Sequence, residues 1–507
     1  MMEKKAWKKK ACRAGRNLRG LGVAAGIMLT LLPAGCKNGK TSGERDYGLD
    51  KDAPVTITAW HYYNGIQQIK FDELVREFND TEGLERGIVL QAFSKSGVDE
   101  LADSVDAAVN KKLGAEEPPD IFACYSDSAY ALDKSGVLAD LSRYFTEAEL
   151  SEYIDAYIDE GRFDGSALKI FPIAKSSEVM IVNKTDWQKF ADVTGVTLDE
   201  LSTWESLVEV SARYYDYTDA LTPDIPNDGR AFFGRDALAN YLLVGARQLG
   251  CTLVSVDADG VAVPALEKEV VRRLWDNYYV PYVKGYFTSE GRYRSDDAKI
   301  GRLIALVGST SGASYYPDQV TLYDEYTYPI ENVVLPVPNF EGTEPFVVQQ
   351  GAGMAVLSSD EKTEYACAVF LKWFTETERN IEFSVGSGYL PVKKEANDFE
   401  RIRERTDGQD GDIDGTIYNA IRVAMDQVAS YELYTSAPYQ NSSGLRSEFA
   451  GLVESGAGNA RRAVMERIAA GEERESVLAQ YTGDAAFEVW YKQLEELFIR
   501  VLADGVK

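Results

Sequence analysis

Histidine is almost missing from this chain: among 507 residues His61 stands alone. One imidazole cannot build a multi-histidine metal centre, and it leaves Ser-His-Asp and Cys-His schemes with a single candidate base. No serine sits in a G-x-S-x-G elbow, Gly351-Ala-Gly353 lacks the third glycine of a dinucleotide loop, and no Walker A sequence occurs. Five cysteines are present. Cys12 and Cys36 lie near the N-terminus. Cys124, Cys251 and Cys367 are odd in number, widely spaced and set among apolar residues, so they read as small buried hydrophobes rather than a disulfide framework. Beyond Leu32 no run of 18 apolar residues could cross a membrane. Basic residues are also scarce, 54 against 81 acidic, for a net charge of −27. Glycoside hydrolysis by paired carboxylates stays open, because so many acids offer many pairings.

The basic charge is concentrated at the start. Lys4, Lys5, Lys8, Lys9, Lys10, Arg13, Arg16 and Arg19 precede an apolar run from Leu21 to Leu32. A positive head, a short apolar stretch and small residues before a cut make a secretory signal peptide over 1–35. Ala34-Gly35-Cys36 resembles a bacterial lipobox, in which the cysteine is acylated and becomes the mature N-terminus; Pro33 stands where leucine is usual. The leader carries +7, so its removal leaves −34. Such a surface repels phosphate backbones and anionic lipid, which argues against nucleic-acid binding. Residues 36–53 are polar and glycine-containing, as a flexible tether requires. The length that follows exceeds one ordinary core and predicts two lobes.

Val55–Trp60 alternates as a strand. Phe71, Leu74, Val75 and Phe78 form one helical stripe. Ile88–Leu90 is the next strand, Ser96-x-x-Asp99 predicts a capped helix through Leu101, Val105 and Val109, and Pro119–Ala123 is a third strand. Strands alternating with helices imply an α/β sheet with parallel strands. Lys169–Ala174 and Glu178–Lys184 are extended, Ser202-Thr203-Trp204-Glu205 opens another helix, and Asp257-Ala-Asp259-Gly260 makes a hairpin turn. Residues 333–346 are rich in proline and extended, 351–357 returns to strand with an amphipathic helix behind it, and the tail from 417 to 502 is helical.

These landmarks resemble, in order, the extracellular family 1 (maltose-binding-like) solute-binding proteins of ABC importers. The matching pieces are ITAWHYYNG, the FDELVREFN helix, PPDIFACYSDSAYALDKSGVLADLSRYF, KIFPIAKSSEVMIVNK, LSTWESL, LPVPNFEG, QGAGMAVLSSDEKTEYACAVFLKWF and GYLPVKKEA. The resemblance implies an α/β, two-lobed periplasmic-binding-protein-like fold that closes by hinge motion. Lobe one would be 54–172 with 340–385, and lobe two 173–339 with 386–507. Crossings fall near Phe171–Ala174, Pro336–Phe346 and Tyr389–Val392. It also implies a monomer that hands a solute, most simply an oligosaccharide, to permease subunits, without cofactor or metal. A secreted glycosidase, or a sensor or adhesin ectodomain on the same fold, is the alternative.

A sugar offers hydroxyls at its rim and C–H groups on its faces, so its site needs rings to stack on and planar polar groups. Trp60, His61, Tyr62, Tyr63 and Asn64 leave the first strand, where open α/β sheets bind ligands; at least two of the group should face the cleft, with His61 a packed ring or hydrogen-bonding group. Tyr125 and Ser126 follow the third strand. Lys175 and Ser177 lie past the first crossing, Ser309 and Ser311 in a small-residue turn, Gln350 and Gly351 before a returning strand, and Tyr389 at the last crossing. Trp204 and Trp373 sit among apolar neighbours as core residues. Asp410–Gly415 resembles half a calcium loop, but Ile421 holds the twelfth position, where a bidentate glutamate belongs, and a solvated turn results. If Cys36 carries the anchor, Cys36→Ser should move the protein from the detergent to the aqueous phase on phase partition.

Overall fold

The computed structural model describes residues 47–504 apart from 164, 258–260, 324 and 407–414. The leader, Cys36 and the Asp410–Asp414 turn lie outside the described residues. The last part of the expected tether is held rather than free: Tyr47 stacks on Tyr365 with centroids 4.0 Å apart.

Strand β1 (Val55–His61) leads into helix α1 (Gly65–Asp80), whose predicted stripe is the set of its buried residues. Strand β2 (Ile88–Ser94), helix α2 (Val98–Val109), strand β3 (Ile121–Cys124) and helix α3 (Ser126–Lys134) follow. Helix α2 starts without the expected Ser96 cap: Gly97 is its N-cap, with no side-chain hydrogen bond, and Ser96 holds φ +69°.

The chain then leaves this sheet. Strand β4 (Glu178–Asn183), helix α4 (Trp204–Asp219), strand β5 (Phe233–Arg235), helix α5 (Leu238–Gln248), strand β6 (Ala305–Ser309) and strand β7 (Asn332–Leu335) belong to the second lobe. Thr203 caps α4 by accepting from the Ser206 amide, as its sequence predicts. Strand β8 (Phe346–Val348) precedes the return, through strand β9 (Gly353–Val356), helix α6 (Glu361–Phe374) and helix α7 (Thr377–Ser387). Helix α8 (Gly415–Ser430), strand β10 (Glu432–Tyr434) and helix α9 (Ser442–Ala469) complete the elements used below. The short β10 interrupts the expected all-helical tail because it pairs in parallel with β8.

The first sheet has the order β9-β3-β1-β2 and the second β7-β4-β6-β5. In the first, β1 runs parallel to both neighbours while β9 is antiparallel to β3. Strand β4 is apolar without alternation for a physical reason. Met180 and Val182 face one core and Val179 and Ile181 another, so both faces are buried. Trp373 packs edge-on against Phe78, and Trp204 against Tyr241; both indoles are buried. Cys124, Cys251 and Cys367 are buried free thiols.

Three stretches join the lobes, and they pair with one another. Lys175 and Leu390 exchange backbone hydrogen bonds of 3.0 and 2.5 Å, and Ser176 and Gln350 exchange bonds of 2.7 and 3.0 Å. The middle passage falls at 349–352, not at 336–346. That earlier segment stays on the second lobe, where Asn339 exchanges backbone bonds with Ser202 and Trp204. Gly351 holds φ +93°, and a Cβ there would stand 3.0 Å from the Ala174 oxygen and the Ser176 nitrogen. Buried Asn380 joins the outer passages: its amide donates to the Ile173 carbonyl at 2.6 Å and accepts from the Val392 amide at 2.8 Å. Removing it leaves both backbone groups buried and unpaired, at about 1–3 kcal/mol each. Urea unfolding of Asn380→Ala should therefore show a loss of about 3 kcal/mol with an unchanged m-value.

Candidate functional site

A cavity of about 540 Å³ opens where the three passages meet. Tyr62, Asn64, Gln67 and Tyr125 reach it from the first lobe, and Ser176, Gln350 and Tyr389 from the passages. Asp236, Ser309, Ser311, Tyr315 and Tyr316 line the second-lobe wall, with Tyr293, Asp296 and Lys299 beside them.

The tyrosines form a connected group. Tyr62 and Tyr125 lie 6.4 Å apart with planes at 21°. The hydroxyl of Tyr62 accepts from the Ala352 amide at 3.4 Å and is hydrogen-bonded to Tyr389 and Tyr125. Burial pushes the phenols of Tyr62, Tyr125 and Tyr389 upward, so each remains a neutral group that both donates and accepts.

Behind Gln350 lies a buried polar network. Asn240 on α5 donates to the Gln350 side-chain oxygen at 3.1 Å and to Glu178 at 2.8 Å. Arg235 pairs with Glu178 at 2.6 Å, and Arg446 on α9 donates to Asn240 at 3.0 Å. The Gln350 amide is thereby fixed in orientation. On the opposite wall burial raises the Asp236 carboxyl, opposed by Arg294, whose backbone amide donates to it at 3.1 Å.

Seven of the expected residues line the cavity: Tyr62, Asn64, Tyr125, Ser309, Ser311, Gln350 and Tyr389. The others lie elsewhere. Trp60 is buried, with the Lys95 ammonium 3.8 Å above its ring. His61 is 1% exposed; its ring packs on Phe71 at 4.7 Å, and its Nδ1 accepts from the Tyr63 amide at 3.2 Å. Tyr63 packs between Phe71 and Phe383. Ser126 opens α3, half-buried. Lys175 is buried in an ion pair with Glu160 at 2.5 Å and donates to the Gly351 carbonyl at 2.7 Å. Ser177 donates to the Val348 carbonyl at 2.9 Å. In that extended run Ser176, between them, faces the cavity; the period of two of a strand carried the signal. Asn64, the last of the five residues that leave the first strand, lines the cavity with Tyr62; Gln67, Asp236 and the Tyr315–Tyr316 pair had no signal beyond proximity to strand ends.

The wall is rich in rings, hydroxyls and amides. Among the described residues no group of three His, Cys, Asp or Glu side chains could hold a metal ion, and no helix is long and apolar enough to cross a membrane.

Residues 73–406 match the family model of the bacterial extracellular solute-binding proteins. The cyclic α-maltosyl-1,6-maltose binding protein of Arthrobacter globiformis is similar in structure, with TM-score 0.61 and 17% identity over 88% of this chain and 99% of its own. The Mycobacterium tuberculosis protein UgpB, solved with glycerophosphocholine, gives 0.63 and 19% over the same shares. A Listeria monocytogenes ABC substrate-binding protein in complex with cycloalternan gives 0.60 and 15% over 87% and 99%. No curated protein sequence matches the chain.

Burial lowers the His61 imidazole from 6.5 to about 4. Below pH 6.5 the unfolded chain takes up a proton that the folded chain refuses until about pH 4. Stability is therefore full above pH 6.5 and falls as pH drops toward 4, by roughly 3 kcal/mol at one proton and 1.36 kcal/mol per unit. The difference between wild type and His61→Phe in unfolding free energy, followed by denaturant titration from pH 7.5 to 4, should show this slope.

Proposed function

The chain belongs to the bacterial extracellular solute-binding proteins, and on that premise we propose that it captures an oligosaccharide between its lobes and delivers it to an ABC importer. One observation carries this reading. The cavity at the paired passages sets tyrosine rings of the first lobe and the passages against hydroxyls and two carboxylates, Asp236 and Asp296, of the second. Rings supply stacking surfaces for sugar faces, while neutral phenols, serines and the held Gln350 amide exchange hydrogen bonds with hydroxyls. The similar proteins named above, with maltosyl-maltose and cycloalternan among their ligands, support the same class.

Binding needs no chemical step, and we assign none. Acylation of Cys36 would tether the protein, as a monomer, to the outer face of the cell membrane beside its permease subunits. The diacylglyceryl group supplies the second chain that stable anchoring requires. Closure would bring 54–172 with 353–385 against 178–348 with 393–504, bending the passages between them.

Tyr315 and Trp60 separate binding from folding. Tyr315 is 49% exposed in the cavity, whereas Trp60 is 4% exposed outside it. A glycan library screened by thermal shift identifies the sugar, since binding raises stability by mass action. Calorimetry with that sugar should then show Tyr315→Ala weakened about tenfold at an unchanged melting temperature. Trp60→Ala should instead lose about 3 kcal/mol of stability. A library in which no sugar raises the melting temperature defeats the reading.

A further inference from the structure

A second cavity, of about 370 Å³, lies in the first lobe between helices α2 and α3 and shares two residues, Tyr62 and Tyr125, with the cleft. Its chemistry is different. Val98, Leu101, Val105, Phe122 and Leu132 make the walls, and Asp103 and Asp106 are the only charged lining residues. Asp106 is already engaged by Asn110 at 2.7 Å and Lys112 at 2.6 Å. The volume falls in the range of small-molecule sites, which are mostly apolar with a few polar groups.

The partition between the two spaces is thin. It consists of the Tyr62 and Tyr125 rings, nearly parallel and joined through their hydroxyls. Tyr125 stands at the N-terminus of α3 and is half-buried. A sugar stacked beside Tyr62 would present whatever it carries at that end to the apolar chamber.

We propose that the chamber is a second compartment of the ligand site and takes a neutral apolar substituent, an aryl or alkyl aglycone, attached to the sugar held in the cleft. The inference rests on the oligosaccharide reading above. The exposed Asp103 and the Lys112-paired Asp106 would repel a carboxylate at the mouth, which disfavours a fatty acid, and the apolar lining disfavours a charge of either sign. A purely polar glycan would leave the Val98 side chain, 38% exposed at the rim, facing water.

The test uses the soluble mature chain and the neutral fluorophore N-phenyl-1-naphthylamine. Its emission should rise saturably with the wild type. Ala131→Trp, an exposed position on α3 that lines the chamber, and Ala102→Phe on the facing wall should each weaken it at least tenfold while keeping the wild-type melting temperature. Phenyl maltoside should displace the fluorophore, and maltose should not. The inference falls if the fluorophore does not bind, if both filled variants bind it undiminished, or if maltose displaces it as well as phenyl maltoside does. The oligosaccharide reading fails separately, when no glycan shifts the melting temperature yet the fluorophore still binds and is still excluded by the two substitutions.

Discussion

Three passages of chain connect the lobes, and outside the two main sheets their backbone amides and carbonyls have no ladder of their own. They solve this by pairing with each other, Lys175 with Leu390 and Ser176 with Gln350. A buried polar group left without a partner costs more than the bond it forgoes, so this small junction is held from all sides. Asn380 ties its outer members, and Lys175 ties Glu160 to the Gly351 carbonyl. Gly351 has no Cβ because there is no room for one. The cavity is the open side of this junction.

The same economy shapes the site. Charges lie behind it: the buried pair Glu178 and Arg235, with half-buried Arg446, forms a chain that ends on Asn240 and, through it, on Gln350. Asp236, Asp296 and Lys299 on the second-lobe wall are the charged groups that face the cavity; the rest of its lining is neutral, with the phenols kept protonated by burial. Buried charges that satisfy one another orient a ligand-facing amide without presenting a net charge to the ligand. A wall of this kind suits a solute that offers many hydroxyls and no formal charge.

Much of the fold could be read from local pattern. The stripe Phe71, Leu74, Val75 and Phe78 is the buried set of α1, and Thr203 is the cap of α4, because both follow from helix geometry alone. Leu253–Val256 and Ala262–Ala265 pair antiparallel on either side of the expected turn, whose residues 258–260 lie outside the described residues. The Ser96 cap failed for an equally local reason: Ser96 adopts positive φ, and the helix begins one residue after Gly97. Long-range pairing was invisible. Nothing in Glu432–Tyr434 marks it as a partner of Phe346–Val348, and that partnership helps keep 336–346 on the second lobe and moves the passage to 349–352.

By itself, the sequence determined the order of strands and helices, the aromatic and polar residue types near strand ends, and the family landmarks that carry a two-lobed fold; periodicity, capping and composition are local and need no partner. Only the tertiary structure decided which of those residues meet the cavity. Trp60, His61 and Tyr63 share a tetrapeptide with Tyr62, yet the first lies under Lys95 and the other two pack on Phe71, while Tyr62 alone of the four reaches the open space. Lys175 and Ser177 turn inward and Ser176 outward by the alternation of an extended chain. Neighbours in sequence are sorted by which partner each side chain finds across the molecule, and that is set by packing.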